Sequence, residues 1–527
     1  MRRLMLVGLS VLAAALASPA LAKDVVRPVK LSVDISRPGP VIDRHIFGQF
    51  AEHLGHGIYE GIWVGKDSPI PNTRGIRNDV VEALKALHVP DVRWPGGCFA
   101  DEYHWRRGIG PVRQPMMNAN WGGVIEPNTF GTEEYFDFLS QIGSEAYVSV
   151  NVGSGTVGEA AEWLEYMTAS KSDAMGAERA KNGHEEPYKV AFVGLGNESW
   201  DCGGGMSPDY YVSQMKRYSR FVRSYHPDQS EKGEPMQRIA VGPNSGDTAY
   251  TKAVMQAYKK HSWAWSIEGL SLHSYTTGGG WPLSQKATGF GEREYALMLS
   301  ETVGMDALIK KHGAIMDKYD PQKKVSLTVD EWGAWYLPEP GSNPGFLVQQ
   351  NTQRDAILAA LNINIFARHA DRVRMANIAQ MINVLQAMIV TDGDKMLLTP
   401  TYHVFKMYVP FQDATFIPLR YNAGKYTFGK YSLHRVDAIA ARDKTGKLWL
   451  AVTNVDPHHA ANFEIAVPGV ATTKVEGETL AAPAFDSVNT FEAPNTVAPK
   501  PVSVAAVNGK LSLTLAPASV TVVALEQ

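Results

Sequence analysis

Cysteine and clustered metal ligands are both scarce in this chain of 527 residues. It holds only two cysteines, Cys98 and Cys202, and no group of His, Cys, Asp and Glu has the spacing of a zinc site. Each cysteine follows the end of a predicted strand, so a disulfide and two separate thiols are both compatible with the sequence. We expect no bound metal ion.

An excess of charge of either sign is also missing. Lys and Arg number 51 against 54 Asp and Glu, which gives a net charge of −3 and argues against the basic footprint of a nucleic-acid-binding protein. Beyond the N terminus, no apolar run is long enough to predict a membrane-spanning helix. The sequence therefore predicts neither nucleic acid nor a membrane as a partner.

Two common catalytic and binding motifs are absent or out of place. The nucleophile elbow G-x-S-x-G does not occur. The motif G-x-G-x-x-G occurs at residues 153–158, but in the third strand-helix unit, whereas a dinucleotide fingerprint needs the first turn of an open sheet. We interpret these glycines as part of a sugar-facing loop and expect no cofactor.

The N terminus has the composition of a signal peptide over residues 1–22. Arg2 and Arg3 precede an apolar run at residues 4–16, which is short for a membrane span, and residues 20–22 (ALA) form a small-x-small cleavage pattern. We therefore expect a cleaved signal and an exported protein, periplasmic or secreted.

From about residue 45 the chain alternates short apolar runs with amphipathic helical patterns. Eight such units fit within residues 45–410, which predicts an α/β fold of the (β/α)8 TIM-barrel type. A doubly wound open sheet is the alternative, because alternation alone does not separate the two folds. The count of eight favours a closed barrel.

The helical pattern stops after about residue 410, and short strand patterns follow. Residues 443–446 (DKTG) and 507–510 (VNGK) are turn signals. We predict a jelly-roll-like β-sandwich over residues 411–527. Residues 23–44 hold one isolated strand pattern, which we expect to join this sandwich.

Two predicted strands end in a carboxylate followed by an aromatic residue. The run KVAFVGLGNESW delivers Asn197 and Glu198, and the run KVSLTVDEW delivers Glu331. Barrel enzymes carry their catalytic groups at the C-terminal ends of strands, and hydrolysis of a glycosidic bond needs two carboxyl groups. Asp330 is the rival of Glu331. Because neighbours on a strand point to opposite faces, we choose Glu331.

Six short motifs occur in a fixed order: FGQFAEH (47–53), RWPGG (93–97), GNE (196–198), LHSY (272–275), DEW (330–332) and MANIAQ (375–380). Together they resemble the α-L-arabinofuranosidases of glycoside hydrolase family 51, and the likeness runs from about residue 31 to the C terminus. The resemblance implies a barrel with a C-terminal β-sandwich, no metal and a homo-oligomer. It also implies a retaining, exo-acting hydrolase that releases terminal arabinofuranose from arabinoxylan, arabinan or their oligosaccharides.

The resemblance further implies a role for individual residues. Glu198 matches the general acid/base and Glu331 the nucleophile. The residues expected to contact the arabinose or to pack beside it are Glu52, Cys98, Asn197, Tyr275, Trp335 and Gln380. Because the family carries Asn or Cys beside the sugar at the position of Cys98, the resemblance argues against a disulfide there. The chain departs from many members at His56 and Gly333, on the acceptor side of the pocket.

Two other functions stay open at this point. An endo-acting xylanase or glucanase would use the same scaffold, and an assay on unsubstituted xylan separates it from an arabinofuranosidase. A non-catalytic sugar-binding protein of the cell envelope would bind arabinose without turnover. The presence of both Glu198 and Glu331 speaks against this last alternative.

Overall fold

The computed structural model describes residues 28–229, 233–508 and 510–526; the predicted signal peptide, residues 1–22, lies outside them. At the centre, eight parallel strands close into a barrel. They are β1 (Gly48–Phe50), β2 (Asp91–Trp94), β3 (Glu145–Val150), β4 (Val190–Leu195), β5 (Gln237–Ala240), β6 (Gly269–Thr276), β7 (Ser326–Ala334) and β8 (Val373–Ile378).

The barrel strands follow one another around the ring in chain order. The last strand, β8, pairs with β1 through Asn377 opposite Gly48 and Ile378 opposite Gln49. An open doubly wound sheet would leave these two strands apart. The predicted (β/α)8 barrel is therefore confirmed, and the alternative is excluded.

Most helices connect consecutive barrel strands and cover the outside of the ring. They are α1 (Asn78–Ala86), α2 (Thr132–Ile142), α3 (Val157–Thr168), α4 (Ala174–Lys181), α5 (Pro208–Phe221), α6 (Thr248–Lys259), α7 (Glu292–Thr302), α8 (Gly304–Tyr319), α9 (Gln353–Arg368) and α10 (Pro400–Met407). Helix α5 shows how the sequence sets a helix start: the Ser207 hydroxyl accepts from the Tyr210 N–H, and Pro208 occupies the first helical position.

Three two-stranded ribbons lie in the loops of the barrel. The strands of the C-terminal region follow α10. The ribbons pair Asn72–Thr73 with Ile76–Arg77, Met116–Asn118 with Val124–Glu126, and Ile389–Asp392 with Lys395–Leu398. The later strands are β9 (Thr415–Ile417), β10 (Leu419–Arg420), β11 (Lys425–Phe428), β12 (Tyr431–His434), β13 (Val436–Arg442), β14 (Leu448–Asn454), β15 (Ala461–Ala466), β16 (Lys474–Ala481), β17 (Pro499–Ala505), β18 (Leu511–Leu515) and β19 (Ser519–Glu526).

Apart from β11 and β12, which pair with each other, these strands form the predicted C-terminal β-sandwich. One sheet has the order β9-β13-β14-β19-β16-β17, and the other joins β10, the N-terminal strand Val29–Val33, β15 and β18. The N-terminal strand runs parallel to β15, with Leu31 opposite Ile465. Apolar side chains from both sheets form a core of their own, separate from the barrel core. The exact domain boundaries, 44/45 and 410/411, stay predictions.

The segments described contain no helix whose length and apolarity would suffice to cross a bilayer.

Candidate active site

A small pocket opens at the C-terminal ends of the barrel strands, where α/β barrels carry their catalytic groups. It has about 320 Å³ of empty volume. Its lining residues are Glu52, Leu54, Gly97, Cys98, Trp121, Asn197, Glu198, Tyr275, Glu331, Trp335, Leu347, Gln380 and Leu385. All eight residues singled out from the sequence therefore line one pocket.

The two glutamates at the ends of β4 and β7 approach each other inside this pocket. A carboxylate oxygen of Glu198 lies within 4.8 Å of one of Glu331, and His273 offers a ring nitrogen within the same distance of both. The His273 Nδ1 atom lies 2.8 Å from Glu198 Oε1 and 3.5 Å from Glu331 Oε2. Two residues 133 positions apart in the chain are thus brought to opposite sides of one small space.

Glu331 is held in a fixed orientation by two donors. Arg93, at the end of β2, donates from Nη1 to Glu331 Oε1 at 2.7 Å and from Nη2 to Asn197 Oδ1 at 2.6 Å. The Tyr275 hydroxyl donates to the other carboxylate oxygen of Glu331 at 2.7 Å. Each oxygen of Glu331 therefore accepts one bond, and burial raises the pKa of Tyr275 well above its ordinary value, so the phenol keeps its proton.

Glu198 lies on a strained turn, and burial of its carboxyl group changes its pKa. Its φ is 35°, in the left-handed region that glycine favours, and such strain is concentrated at functional sites. Burial raises the pKa of Glu198, opposed by the hydrogen bond from His273 and reinforced by the charge on Glu331. A carboxyl with a raised pKa can hold a proton near neutral pH, as a general acid must.

Asp330 also points into the barrel, one layer below Glu331. Between β6 and β7 the register shifts, so that Ser271 lies opposite Thr328 but His273 lies opposite Glu331. Asp330 accepts from the Tyr147 hydroxyl at 2.7 Å. The expectation that the two neighbours point to opposite faces is wrong, because a bulge turns both of them inward. Only Glu331 lines the pocket.

His273 and Asp330 form a buried charge pair beneath the pocket. Burial alone would lower the pKa of His273, but Glu331, Asp330 and Glu198 outweigh it and raise the pKa to about 10. Burial opposes ionisation of Asp330 as well, yet His273 and Arg93 lower its pKa to about 2. The imidazolium thus balances the carboxylates that converge on it.

Glu52, after β1, anchors the opposite wall of the pocket. One of its oxygens accepts from the Gly97 N–H and from the Trp121 indole, each at 2.9 Å, and the other accepts from Gln380 Nε2 at 3.0 Å. Burial, reinforced by the charge on Glu331, raises the pKa of Glu52 to about 7. The side-chain oxygen of Gln380 has no hydrogen-bond partner in the described parts of the chain, so it is available to a ligand hydroxyl.

The two cysteines form a disulfide at the edge of the pocket, with their Cα atoms 5.5 Å apart. The expectation from the family resemblance, that Cys98 stands unbonded beside the sugar, is wrong. The loop after β2 carries Cys98 and the loop after β4 carries Cys202, and the barrel places these loops together. Cys202 Sγ lies 3.7 Å from Glu198 Oε2, so the bridge borders the carboxylate pair.

Sequence reasoning missed several contributors to the pocket wall. Trp121 lies in the turn between the ribbon strands Met116–Asn118 and Val124–Glu126, and Leu347 and Leu385 lie on loops. None of these segments has a periodic pattern. Arg93 belongs to the motif RWPGG (93–97). A charged residue inside an apolar strand could have identified it, since a buried charge must be paired.

The metal-binding capacity of the site is low. Within the described residues, the potential ligands fall into two groups: Cys98, Glu198 and Cys202, and Glu198, His273 and Glu331. The sulfurs of the first group are bonded to each other. In the second, Glu331, Asp330 and Glu198 raise the pKa of His273 to about 10, and a protonated imidazole has no free lone pair for a metal.

A larger cleft lies between α8, α9 and the sandwich, with about 1390 Å³ of empty volume. Its charged groups pair with one another: Lys310 with Asp306 at 2.6 Å, and Arg368 with Asp437 at 3.0 Å. None of the strand-end carboxylates lines it. The converging carboxylates therefore lie in the smaller pocket and not in this cleft.

Comparison with known proteins agrees with this geometry. Residues 83–270 match the family "Alpha-L-arabinofuranosidase 1 domain" and residues 330–519 match "Alpha-L-arabinofuranosidase C-terminal domain". The chain is 43% identical to a protein of Bacteroides ovatus named intracellular exo-alpha-L-arabinofuranosidase, over 94% of this chain and 95% of that protein. It is 28% identical to one of Streptomyces lividans named intracellular exo-alpha-(1->5)-L-arabinofuranosidase, over 94% of this chain and 74% of that protein.

A solved structure of the same family has the same fold. The crystal structure of the GH51 arabinofuranosidase from Xanthomonas axonopodis pv. citri superposes with a TM-score of 0.90 at 48% identity. The match covers 94% of this chain and all of that chain.

The comparisons contradict the expectation of an exported protein. The Bacteroides ovatus and Streptomyces lividans proteins both carry names that place them inside the cell. The expectation depended on an apolar run behind two arginines, and such composition does not by itself distinguish a cleaved export signal from another apolar N-terminal segment.

Proposed function

This chain belongs to the α-L-arabinofuranosidases of glycoside hydrolase family 51, and on that premise we propose that Glu331 is its nucleophile and Glu198 its general acid/base. The enzyme is an exo-acting glycoside hydrolase that releases terminal arabinofuranose. The proposal assigns the two steps of that hydrolysis to particular side chains.

The observation that carries the assignment is the separation of the two carboxyl groups. Oxygens of Glu198 and Glu331 lie within 4.8 Å of each other. Retaining glycosidases keep their carboxyl groups about 5–5.5 Å apart, whereas inverting ones need roughly 6.5–9.5 Å to admit a water between carboxylate and sugar. The spacing supports a double displacement with net retention.

In the first step, Glu331 attacks the anomeric carbon while Glu198 protonates the departing glycosidic oxygen. Arg93 and Tyr275 each bond one oxygen of Glu331, which orients the carboxylate for attack. When the Glu331 ester forms, its charge disappears, and the pKa of Glu198 falls because that charge had helped to raise it. Glu198 then accepts a proton from the attacking water, and the ester is hydrolysed.

The remaining pocket residues are proposed to hold the arabinose. Asn197, already bound to Arg93, would bond a hydroxyl next to the reacting carbon. Glu52 and Gln380 present oxygens from the opposite wall, and Cys98 and Trp335 close the sides. A single pocket that holds both carboxyl groups supports removal of one terminal sugar, whereas an endo-acting xylanase or glucanase needs a groove open at both ends.

Arabinoxylan, arabinan and their oligosaccharides are the proposed substrates. A homo-oligomer is also proposed, on the family resemblance alone. Light scattering coupled to size exclusion measures the mass in solution directly: a multiple of the chain mass of 57.7 kDa supports the assembly, and a single chain mass contradicts it.

The acid/base assignment is tested by a leaving-group comparison. We expect Glu198→Gln to lose about 10²–10⁴-fold in kcat/KM on arabinoxylan fragments, because an unactivated sugar leaves only with a proton. On an aryl arabinofuranoside with a good leaving group, the rate of the first step should fall much less in Glu198→Gln.

Glu82→Gln is the matched control, because Glu82 is an exposed glutamate on α1 whose side chain is 75% accessible. It should behave like the wild type on both substrates. Full activity of Glu198→Gln on the polysaccharide would show the assignment to be wrong, and proton NMR that detects the inverted anomer as first product would contradict the double displacement.

A further inference from the structure

We propose that Asp101 is a positioning residue: its carboxylate holds the turn that carries Asn197 and Glu198, and the glycine motif at residues 153–158 holds Asp101 in turn. The inference rests on the proposed function, since it assigns a support to two residues of that site. Asp101 itself does not line the pocket, and it is only 1% exposed.

The carboxylate of Asp101 binds three backbone N–H groups. Asp101 ends the short 3-10 helix Cys98–Asp101, which follows β2. Its Oδ1 atom accepts from the N–H groups of Val152 and Gly153, each at 2.8 Å, and its Oδ2 atom accepts from the Asn197 N–H, also at 2.8 Å. Val152 and Gly153 follow β3, and Asn197 follows β4. One buried carboxylate therefore joins the loops of three neighbouring barrel strands.

The turn that carries the proposed acid/base needs such a support. Gly196 has a φ of 94° and Glu198 a φ of 35°, so both neighbours of Asn197 adopt the left-handed conformation. For a glutamate this conformation is strained, and it persists only where the surrounding structure holds it. The bond from the Asn197 N–H to Asp101 lies between these two residues. It is therefore placed to fix the direction in which Asn197 and Glu198 leave the strand.

The loop beyond Glu198 packs onto the same carboxylate. The Gly203 N–H donates to the Glu198 carbonyl at 3.1 Å. A Cβ at Gly203 would lie 2.8 Å from Asp101 Oδ2 and 1.8 Å from the Asn197 carbonyl oxygen, so only glycine fits there. The turn from Asn197 to Gly203 is thus in contact with Asp101 at both of its ends.

The glycine motif at residues 153–158 contacts Asp101 rather than the sugar pocket. None of its residues lines that pocket, contrary to the sugar-facing loop expected from the sequence. A Cβ at Gly153 would lie 2.8 Å from Asp101 Cβ, and Ser154 donates to the Asp101 carbonyl from its N–H at 3.0 Å and from its hydroxyl at 2.9 Å. Successive backbone N–H groups of a turn can form a concave site for an anion. Here the anion is a carboxylate of the same chain.

An amide cannot replace this carboxylate. Burial raises the pKa of Asp101 to about 7, and the bonds from the three N–H groups, which favour the charged form, oppose that rise. In Asp101→Asn, one oxygen becomes an NH2 group, which faces either the Asn197 N–H or the two N–H groups after β3. No orientation of the amide therefore satisfies all three donors. Gly153→Ala disturbs the same contact from the other side, because its Cβ would displace Asp101 without a change of charge.

The experiment compares four variants on two substrates. The substrates are an arabinofuranosyl-substituted xylo-oligosaccharide, whose leaving group needs a proton, and an aryl arabinofuranoside, whose leaving group does not. The variants are Asp101→Asn, Gly153→Ala, Gly158→Ala and Glu198→Gln. Gly158 is the matched control, because it belongs to the same motif and a Cβ there would have Thr156 Oγ1, at 3.8 Å, as its nearest contact outside its own helix. Glu198→Gln measures the effect of losing the acid/base altogether.

We expect Asp101→Asn to lower kcat/KM on the xylo-oligosaccharide by about 10²-fold, as a misplacement of about 1 Å at a catalytic group does. The loss on the aryl glycoside should be smaller, so the ratio of the two kcat/KM values should fall, as it does in Glu198→Gln. The change should lie mainly in kcat, because the opposite wall of the pocket still holds the sugar. Gly153→Ala should show the same pattern, and Gly158→Ala should behave like the wild type.

A merely structural role of Asp101 would lower the melting temperature and leave the ratio of the two kcat/KM values unchanged. That ratio, in an Asp101→Asn variant shown by circular dichroism to be folded at the assay temperature, would overturn the proposal. If Asp101→Asn does not fold, Gly153→Ala decides, and a wild-type ratio there would overturn the proposal as well. A wild-type ratio in Glu198→Gln would instead refute the proposed function. The two failures are therefore distinguishable.

Discussion

At the scale of single residues, the site is a balanced set of buried charges. Two cations, Arg93 and His273, converge on Glu331 and Asp330, and Glu198 keeps a raised pKa beside them. A buried charge without a partner is costly, so each member depends on the others. In the proposed mechanism, the raised pKa of Glu198 lets this residue carry the proton that the leaving group needs.

The charge on His273 makes stability depend on pH. Its pKa is about 10 in the folded protein and about 6.5 in an unfolded chain. Because the folded pKa is the higher one, protonation stabilises the fold fully below pH 6.5, and this contribution disappears as the pH rises through 10. Its upper bound is about 5 kcal/mol, given 1.36 kcal/mol per pKa unit.

We therefore expect the melting temperature of the wild type to fall more steeply between pH 6.5 and pH 10 than that of His273→Asn. His458→Asn, at a histidine with a 54% accessible side chain on the sandwich, should follow the wild type. Parallel curves for wild type and His273→Asn, from calorimetry at a series of pH values, would refute the charged state of His273.

At the scale of elements, the site is assembled by loops that the barrel brings together. The disulfide between Cys98 and Cys202 joins the loops after β2 and β4, which are 104 positions apart in sequence. Glu198 lies four residues before Cys202 on the second loop. The bridge therefore constrains the segment whose strained turn carries the proposed acid/base.

Removal of the bridge should lower stability. In the double variant Cys98→Ala/Cys202→Ala, we expect the free energy of unfolding to fall by about 2–4 kcal/mol relative to the oxidised wild type, because closing so long a loop restricts the unfolded chain. Urea unfolding without reductant measures the difference. Addition of a dithiol reductant should bring the wild type close to the variant; equal stability without reductant, or two free thiols in the denatured wild type, would contradict the bridge.

At the scale of the whole molecule, α9 joins the barrel to the sandwich. Residues 353–367 are all buried. Gln353 Nε2 donates to the carbonyls of Leu480 at 3.2 Å and Ala518 at 2.7 Å, and Asn364 Nδ2 donates to Asp437 at 2.7 Å. A helix buried on all sides needs both neighbours, so barrel and sandwich depend on one another.

We expect the full chain to unfold in one calorimetric transition, and a chain ended after residue 410 to lack cooperative unfolding because α9 loses one of its packing partners. Two separate transitions in the full chain would contradict this coupling, as would a truncated barrel that melts at the same temperature.

Much of this organisation could be predicted from the sequence. Eight strand-helix units give a closed barrel, and the strand-end carboxylates Glu198 and Glu331 fall into one pocket, because both features follow from local patterns. The disulfide and the inward turn of Asp330 could not be predicted, since they depend on how loops dock and where a register slips between two strands. Trp121 reaches the pocket from the turn of a two-stranded ribbon, and the conformation of such a turn has no periodic signal.

The central claim is that Glu331 forms a covalent bond to the arabinose while Glu198 handles the proton. The most direct measurement is peptide mapping by mass spectrometry of Glu198→Gln after incubation with an activated aryl arabinofuranoside, under conditions in which the intermediate accumulates. We predict one pentosyl group that fragmentation of the labelled peptide places on Glu331, and its loss in Glu198→Gln/Glu331→Gln. A pentosyl group on Glu52 or Asp330 would contradict the account.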